Sequence, residues 1–113
     1  MNVQRGDVVL VDYPFAVGSE IKVRPALIVQ RLATTIIVQI SGNTSRAAQE
    51  PTQVLVDIAT ADGQLSGLHK SSVVNCVNVF TMDRNDVLRR LGSLSPALLQ
   101  QVEAALKAAL VLP

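Results

Sequence analysis

The sequence predicts a mostly β domain that is closed by one C-terminal α-helix. Three observations predict this fold class: several short runs rich in β-branched residues, polar segments with Gly and Pro between them, and a change to helical periodicity near the C-terminus. Many short strands with one terminal helix favour a compact barrel or folded sheet. A chain of 113 residues has room for one core, so we expect a single domain over residues 1–113.

The first half of the chain alternates between predicted strands and loops. Strands are predicted at residues 7–12, 24–30 and 34–41, with loops at 13–23 and 42–52 and a short link at 31–33 that indicates a hairpin. Pro25 has no N–H to donate to a β-ladder. It is therefore expected at the start of its strand or on a sheet edge.

The second half continues this pattern and then changes period. Strands are predicted at 53–58, 71–82 and 88–94, with a turn-rich segment at 59–70 and a short turn capped by Asp83. Ser95 is a good N-cap and Pro96 fits the first helical position, so a helix is predicted to begin there. Apolar residues then recur at helical spacing, at Leu98, Leu99, Val102, Ala105, Leu106, Ala109 and Leu110.

Composition restricts the classes of function. Hydrophobic residues make up 49% of the chain and charged residues 17%, so the chain can bury enough apolar surface to fold and global disorder is not expected. A net charge of +1 creates no global positive field, so any site for a polyanion must be local. The only aromatic residues are Tyr13, Phe15 and Phe80, which leaves few rings for base stacking. With one cysteine, no signal peptide and no spanning apolar run, we expect a soluble cytoplasmic protein without membrane partners.

Several kinds of chemistry are excluded by the residues present. His69 is the only histidine and Cys76 the only cysteine, so a zinc site of Cys and His ligands cannot form. The carboxylates are scattered, and no phosphate-binding glycine loop or nucleophile elbow occurs. We therefore expect any catalysis to proceed without a metal or another cofactor. His69, beside Lys70 in a turn-rich segment, is interpreted as a surface residue.

The groups that remain lie at strand–loop junctions. Arg24 carries a guanidinium whose fork matches a phosphate, and the following Pro25 restricts its backbone to an extended conformation. Lys22 would share its face if the strand extended that far. The segment "ISGNTSR" offers further donors to phosphate or sugar oxygens, at Ser41, Asn43, Thr44, Ser45 and Arg46. Composition alone favours a plainer interpretation, in which Arg24 pairs with a carboxylate and the hydroxyls belong to ordinary turns.

Longer segments of the sequence carry a family resemblance. "RGDVVLVDYPF", "GSEIKVRPALIVQ" and "IIVQIS" are followed by "PTQVLVD", "GLHKSSVV" and "VFTMDRNDVLRRLGSLSPALLQQVEAAL". In this order and spacing they resemble the toxin half of toxin–antitoxin systems of the MazF/PemK type. The resemblance covers almost the whole chain, and its most specific parts are the Gly-Asp of the first strand and the Arg-Pro-Ala-Leu of the second.

The resemblance implies a fold and an activity. The expected fold is an SH3-like barrel of the PemK/CcdB-like superfold with a C-terminal amphipathic helix, assembled as a homodimer. The expected activity is sequence-selective, metal-independent cleavage of single-stranded RNA such as mRNA. In that reaction the 2′-hydroxyl attacks the neighbouring phosphate and leaves a 2′,3′-cyclic phosphate and a 5′-hydroxyl. The family is held inactive by a cognate antitoxin, which is the second expected partner.

The resemblance also implies catalytic residues. The family's key arginine falls on Arg24, which we expect to stabilise the charge of the phosphorane, with proton donation to the leaving oxygen as an additional role. Its hydroxyl partner, a threonine in many members, falls on Ser41, so the hydroxyl is kept and the methyl is lost. The substrate-contacting loop falls on Ser19 and Glu20. Glu20 is the candidate acceptor of the 2′-hydroxyl proton, with a salt bridge to a neighbouring cation as the alternative.

The remaining expected contacts concern RNA recognition. Residues predicted to bind RNA are Ser19, Lys22, Tyr13, Phe15, Asn43, Thr44 and Arg46, together with Gln49 in the second loop. Phe15 has an alternative role, which is to pack under its loop. Two other functions remain open at this point. One is a gyrase-binding toxin like CcdB, which uses the end of the last helix, and the other is a barrel that binds partners without catalysis.

Overall fold

The computed structural model describes residues 2–13 and 22–113. Six strands and two helices follow one another in the order β1 (Asp7–Tyr13), β2 (Lys22–Gln30), β3 (Thr34–Ser41), β4 (Gln53–Val56), α1 (Ala61–Gln64), β5 (Ser72–Asp83), β6 (Val87–Ser93) and α2 (Pro96–Leu110). A single 3₁₀ turn at Arg84–Asp86 joins β5 to β6, and Asp83 caps it by accepting a hydrogen bond from the Asn85 N–H, as predicted. The mostly β fold with a C-terminal helix is confirmed.

The six strands form one antiparallel sheet in the order β4-β5-β3-β2-β1-β6. The predicted hairpin at 31–33 joins β2 to β3, and Leu27 faces Val38 across it. Register shifts interrupt three of the ladders, including one between Val38 and Gln39 where β3 meets β5. Such bulges bend strands and increase their twist, which curves the sheet.

Both faces of the central strands are buried, which explains their continuous apolar runs. Val8, Leu27 and Val38 face one cluster, which α2 covers. The alternate residues Val9 and Ala26 face a second cluster, against which Phe80 and Met82 pack. Because neighbouring residues of a strand point to opposite faces, a strand buried on both sides needs an apolar residue at every position.

Helix α2 begins where the sequence predicts. The Ser95 hydroxyl accepts a hydrogen bond from the Leu98 N–H at 3.2 Å, and Pro96 is the first helical residue. The buried face consists of Leu98, Val102 and Ala105, with Leu99, Leu106 and Ala109 partly buried beside it. The helical spacing predicts Leu110 in this stripe, but Leu110 is the last residue of the helix and is 59% exposed.

Three details differ from the predicted elements. β2 begins at Lys22, so Pro25 is its fourth residue and β2 is an internal strand. Pro25 is tolerated there because the pairing of β2 with β3 begins only at Ala26, which leaves that side of Pro25 outside the ladder. The turn-rich segment 59–70 contains the short helix α1, whose N-cap Thr60 accepts a hydrogen bond from the Gly63 N–H at 2.9 Å.

Within the described part of the chain, no helix is long and apolar enough to cross a membrane.

Candidate functional site

The pairing of β2 with β3 brings two of the predicted site residues together. Ala26 faces Gln39 in this antiparallel ladder. Arg24 and Ser41 lie two residues beyond this last pair of the ladder, so each points to the same face of its strand as the paired residue. Their backbones are held from the other side as well, because Arg24 pairs with Val11 of β1 and Ser41 pairs with Val73 of β5.

Arg24 and Ser41 line one open cavity of about 720 Å³, which we call the Arg24 cavity. Its described lining consists of apolar residues (Leu10, Pro25, Ile40, Leu68 and Leu91) and polar or small ones (Arg24, Gln39, Ser41, Gly42, Asn43, His69, Lys70 and Ser72). This volume lies within the usual range for ligand-binding pockets. An apolar interior with polar groups converging on it is also typical of such sites.

A tight turn shapes the side of the cavity that follows β3. The Ser41 hydroxyl accepts a hydrogen bond from the Asn43 N–H at 3.2 Å. The Asn43 side-chain oxygen accepts in turn from the Ser45 N–H at 3.2 Å and from the Ser45 hydroxyl at 2.8 Å. These bonds fix the backbone of the turn. None of these bonds uses the hydrogen of the Ser41 hydroxyl, so the hydroxyl can still donate a hydrogen bond to a ligand.

Lys70 reaches the same side of the cavity from the segment before β5. A Cβ atom built on Gly42 would stand 2.5 Å from both Cε and Nζ of Lys70. The Lys70 side chain therefore lies across the Gly42 backbone, in space that any larger residue at position 42 would occupy. This contact brings the ammonium group beside the turn that holds Ser41 and Asn43.

The ionisable side chains of the described lining are all basic. They are Arg24, Lys70 and the imidazole of His69, and all three residues are exposed. The lining contributed by residues 2–13 and 22–113 contains no carboxylate. The ion pairs formed within these same ranges are Arg5–Glu103 and Arg90–Asp7, so no carboxylate there neutralises Arg24. The cavity thus combines positive charge with a hydroxyl and an amide, which suits a phosphate or phosphodiester.

The other residues predicted to bind RNA are distributed around this cavity or lie outside the described residues. Asn43 lines the cavity. Lys22 is exposed and is the first residue of β2. The strand therefore extends far enough for Lys22 to point to the same face as Arg24. Thr44, Arg46 and Gln49 belong to the turns that follow β3, outside the cavity lining. Tyr13 ends β1, where its backbone pairs with Lys22. The Tyr13 side chain, Phe15, Ser19 and Glu20 lie outside the described residues.

Sequence reasoning missed the contribution of the segment before β5. His69 is exposed, as predicted for a surface residue, but it lines the Arg24 cavity together with Lys70. The topology explains this placement. β5 pairs antiparallel with β3, so the residues before Ser72 meet the residues after Ser41. A signal for this existed in the sequence, since polar residues cluster both after the third predicted strand and before the long strand that follows.

Metal and thiol chemistry find no support in the described side chains. Within residues 2–13 and 22–113, no three His, Cys, Asp or Glu side chains lie close enough together to hold a metal ion. Cys76 is buried in the core beneath α2. Burial raises the pKa of its thiol to about 11, so the thiol is protonated at neutral pH and is a poor nucleophile.

Comparison with known proteins gives a consistent result. The family pattern of the PemK-like, MazF-like toxins of type II toxin–antitoxin systems matches residues 4–110. The endoribonuclease MazF6 of Mycobacterium tuberculosis is 31% identical over 115 aligned residues, which cover 95% of this chain and 96% of that protein. The endoribonuclease MazF2 of Mycobacterium bovis matches with the same identity and coverage.

Solved structures share the fold over at least 95% of the chain. A mycobacterial endoribonuclease in complex with its cognate antitoxin superposes with a TM-score of 0.76 at 24% identity, covering 99% of this chain and 98% of that one. The M. tuberculosis toxin MazF-mt6 gives 0.74 at 24% identity, covering 95% and 98%. These superpositions agree with the predicted mostly β fold with a C-terminal helix. With a family pattern that spans residues 4–110, the chain belongs to the PemK-like, MazF-like toxins of type II toxin–antitoxin systems.

Proposed function

We propose that this chain is the toxin of a toxin–antitoxin pair and cleaves single-stranded RNA at selected sequences, with the Arg24 cavity as its catalytic site. The single observation that carries this proposal is the meeting of Arg24 and Ser41 in one open cavity whose described lining has no carboxylate. The endoribonuclease names of the 31% identical relatives support the same activity.

The reaction that fits these groups is transesterification at phosphorus. The ribose 2′-hydroxyl attacks the adjacent phosphate, the bond to the 5′-oxygen breaks, and the products are a 2′,3′-cyclic phosphate and a 5′-hydroxyl. Negative charge grows on the phosphate oxygens in the transition state, and a preorganised guanidinium stabilises it. Arg24 takes this role because a guanidinium stays protonated and presents a fork of N–H donors.

Ser41 and the turn after it hold the phosphate in place. The Ser41 hydroxyl donates to a nonbridging phosphate oxygen while still accepting the Asn43 N–H. Lys70 adds a second positive charge on the same side. Lys22, Asn43, Thr44 and Arg46, together with Tyr13, Phe15 and Ser19, bind the flanking nucleotides and select the sequence.

We also propose how the toxin assembles, what neutralises it and where it acts. The toxin acts as a single domain over residues 1–113, forms a homodimer and is neutralised by a cognate antitoxin protein in the cytoplasm, where mRNA is found. A solved relative bound to its cognate antitoxin supports the pairing with an antitoxin. Two-fold symmetry would bring equivalent cavities from the two subunits near one RNA groove.

The test is cleavage of a long single-stranded RNA by the purified protein in EDTA, with mapping of the new 5′ ends. We expect discrete ends that carry a 5′-hydroxyl at recurring short sequences. Arg24→Ala should abolish them while the protein stays folded, because Arg24 is exposed and makes no ion pair with the described carboxylates.

Other outcomes would contradict the proposal in distinct ways. A folded protein that leaves RNA intact but inhibits growth would favour the gyrase-binding alternative, which DNA supercoiling assays detect directly. A folded protein that neither cleaves RNA nor inhibits growth would favour the non-catalytic binding barrel. Cleavage that vanishes in EDTA would contradict the metal-independent mechanism.

A further inference from the structure

We propose that His69 is the general base of the RNA-cleaving reaction, a role that rests on the function proposed above. The starting observation is that the only histidine of the chain lines the Arg24 cavity with Arg24 and Ser41. Transesterification needs a group that removes the 2′-hydroxyl proton as the new bond to phosphorus forms.

The chemistry of the described lining leaves one group suited to this task. Guanidinium and ammonium groups have no acceptor, which excludes Arg24 and Lys70. Hydroxyl and amide groups accept hydrogen bonds but do not take up protons at neutral pH, which excludes Ser41 and Asn43. The lining formed by residues 2–13 and 22–113 contains no carboxylate. A neutral imidazole has a nitrogen lone pair, and histidine is the usual general base near neutral pH.

The backbone on both sides of His69 is held by hydrogen bonds, so the side chain is attached at a defined position. The Leu68 N–H donates to the Ser66 hydroxyl at 3.2 Å, and the Lys70 carbonyl accepts from the Ser72 hydroxyl at 3.0 Å. Gly67 presses against β6 so closely that a Cβ atom there would stand 2.1 Å from the Leu91 carbonyl oxygen. A short loop held at three points presents its side chain more reproducibly than a free loop tip.

The proposed step balances without any further reagent. An imidazole nitrogen of His69 takes the 2′-hydroxyl proton, and the 2′-oxygen uses the freed electron pair to bond to phosphorus. The bond from phosphorus to the 5′-oxygen breaks, and its electron pair stays on that oxygen, which takes a proton from water. The imidazolium then returns its proton to the hydroxide so formed. Arg24 and Lys70 are the charged groups that line the cavity with His69 in the described part of the chain, and they balance the charge on the phosphate.

The test is the pH dependence of single-turnover cleavage by the full-length protein, from about pH 5 to pH 9. The substrate is a short RNA that contains one mapped site, and the variants are His69→Gln and Glu20→Gln. For the unchanged protein the rate should rise with pH on the acid side, as the base loses its proton, and then level off. His69→Gln should lower the plateau by about 10²–10⁴-fold and remove the acid limb. Glu20→Gln should keep that limb.

Two further measurements separate a proton-transfer role from a structural or binding role. Binding of a 2′-O-methyl RNA, which cannot react, should stay within about threefold in His69→Gln, so the loss falls on kcat rather than KM. Free imidazole should restore cleavage to His69→Ala in proportion to its neutral fraction. Lys70→Gln is the matched control from the same loop, and it should weaken binding while keeping the acid limb.

Each contrary result has a defined meaning. If the unchanged protein cleaves RNA and His69→Gln keeps both the rate and the acid limb, the inference is wrong and the proposed function stands. If the limb disappears in Glu20→Gln alone, the carboxylate is the base and the inference is wrong. A loss in His69→Gln that weakens binding of the methylated RNA and resists rescue by imidazole also overturns it. If the unchanged protein does not cleave RNA, both proposals fail together.

Discussion

The Arg24 cavity and a second cavity near the start of β1 both contain basic side chains, but these side chains have carboxylate partners in only one of the two cavities. The second cavity, which we call the Asp7 cavity, has a volume of about 480 Å³ and is lined by Arg5, Asp7 and Arg90 among others. In the Asp7 cavity each arginine has a carboxylate partner, with Arg90 at 3.2 Å from Asp7 and Arg5 at 2.7 Å from Glu103. In the described lining of the Arg24 cavity, Arg24 and Lys70 have none.

This difference supports the proposal that the Arg24 cavity binds a ligand, whereas the paired charges of the Asp7 cavity contribute to stability. Asp7 is buried, and its carboxylate also accepts the Gln4 N–H at 2.9 Å, so its charge and hydrogen bonds are satisfied within the protein. Removing one partner of such a buried group is costly, because the other partner remains unpaired. The cations of the Arg24 cavity are exposed, so water satisfies them until a polyanion replaces the water.

The largest expected effect separates the two cavities by exchanging arginine for alanine in each. Arg24→Ala should lower the cleavage rate by about 10³-fold, since one charged donor to the transition state is lost, and should change the free energy of unfolding by less than about 0.5 kcal/mol. Arg90→Ala should show the reverse pattern. We expect it to reduce the free energy of unfolding by about 1–2 kcal/mol, because Asp7 loses its partner. Cleavage should stay within about twofold of the unchanged protein. Urea denaturation and single-turnover kinetics measure the two quantities.

The proposed difference between the two cavities would be wrong if Arg24→Ala and Arg90→Ala had the same effects on cleavage and stability. A large loss of stability in Arg24→Ala would mean that Arg24 is part of the structure, as the plainer interpretation of the sequence holds. A large loss of cleavage in folded Arg90→Ala would mean that the Asp7 cavity, too, takes part in the reaction.

A smaller effect is expected at Ser41, where two substitutions separate the hydroxyl from the methyl group. Ser41→Ala removes both the donor to phosphate and the acceptor of the Asn43 N–H, so cleavage should fall about 10–100-fold. Ser41→Thr keeps the hydroxyl and restricts its rotamers, so cleavage should equal or exceed that of the unchanged protein by a few-fold. Single-turnover rates with saturating protein measure both variants. Equal losses in the two variants would contradict a role for the hydroxyl.

Asp7→Asn tests the Asp7 cavity through stability alone. The amide keeps an oxygen for the Gln4 N–H but gives up the charge that pairs with Arg90. We expect a loss of about 1–2 kcal/mol in the free energy of unfolding, with cleavage within about twofold. The double variant Asp7→Asn/Arg90→Ala should be no less stable than the worse single variant, because both remove the same interaction. Full additivity of the two losses would show that the pair does not act as a unit.

The strands and the last helix followed from the sequence because local rules determine them. Runs rich in Val, Ile or Leu between turn-rich segments predicted each of the described strands within a few residues, and Ser95 with Pro96 predicted the start of α2. Helix α1 escaped prediction because four residues show no helical period, and only the cap at Thr60 indicates it. The expectation for Leu110 is wrong because helical periodicity does not tell how far along a helix the buried face extends.

The candidate site depended on a different kind of information. The chemistry of the residues at the strand–loop junctions singled out Arg24 and Ser41, and the resemblance gave them catalytic roles, which remain predictions. Their proximity follows from the register of β2 and β3, which two neighbouring apolar runs made foreseeable. The approach of His69 and Lys70 depends on the pairing of β3 with β5, strands separated by about 30 residues of chain. Composition and periodicity do not specify such long-range pairings, so sequence reasoning treated His69 as an ordinary surface residue.

The smallest expected effect sharpens the position of Lys70 within the Arg24 cavity. Gly42→Ala would place a methyl group where Cε and Nζ of Lys70 now lie, and the flexible end of Lys70 would move in response. Because Gly42 is not among the glycines with positive φ, alanine fits its backbone, and the free energy of unfolding should stay equal or rise slightly. We expect RNA affinity, measured with a 2′-O-methyl analogue, to weaken about threefold. In a Lys70→Gln background the same substitution should have no further effect, since the displaced ammonium is already gone. If Gly42→Ala weakens binding equally in both backgrounds, the methyl group blocks the RNA itself, and the position of Lys70 is not what matters.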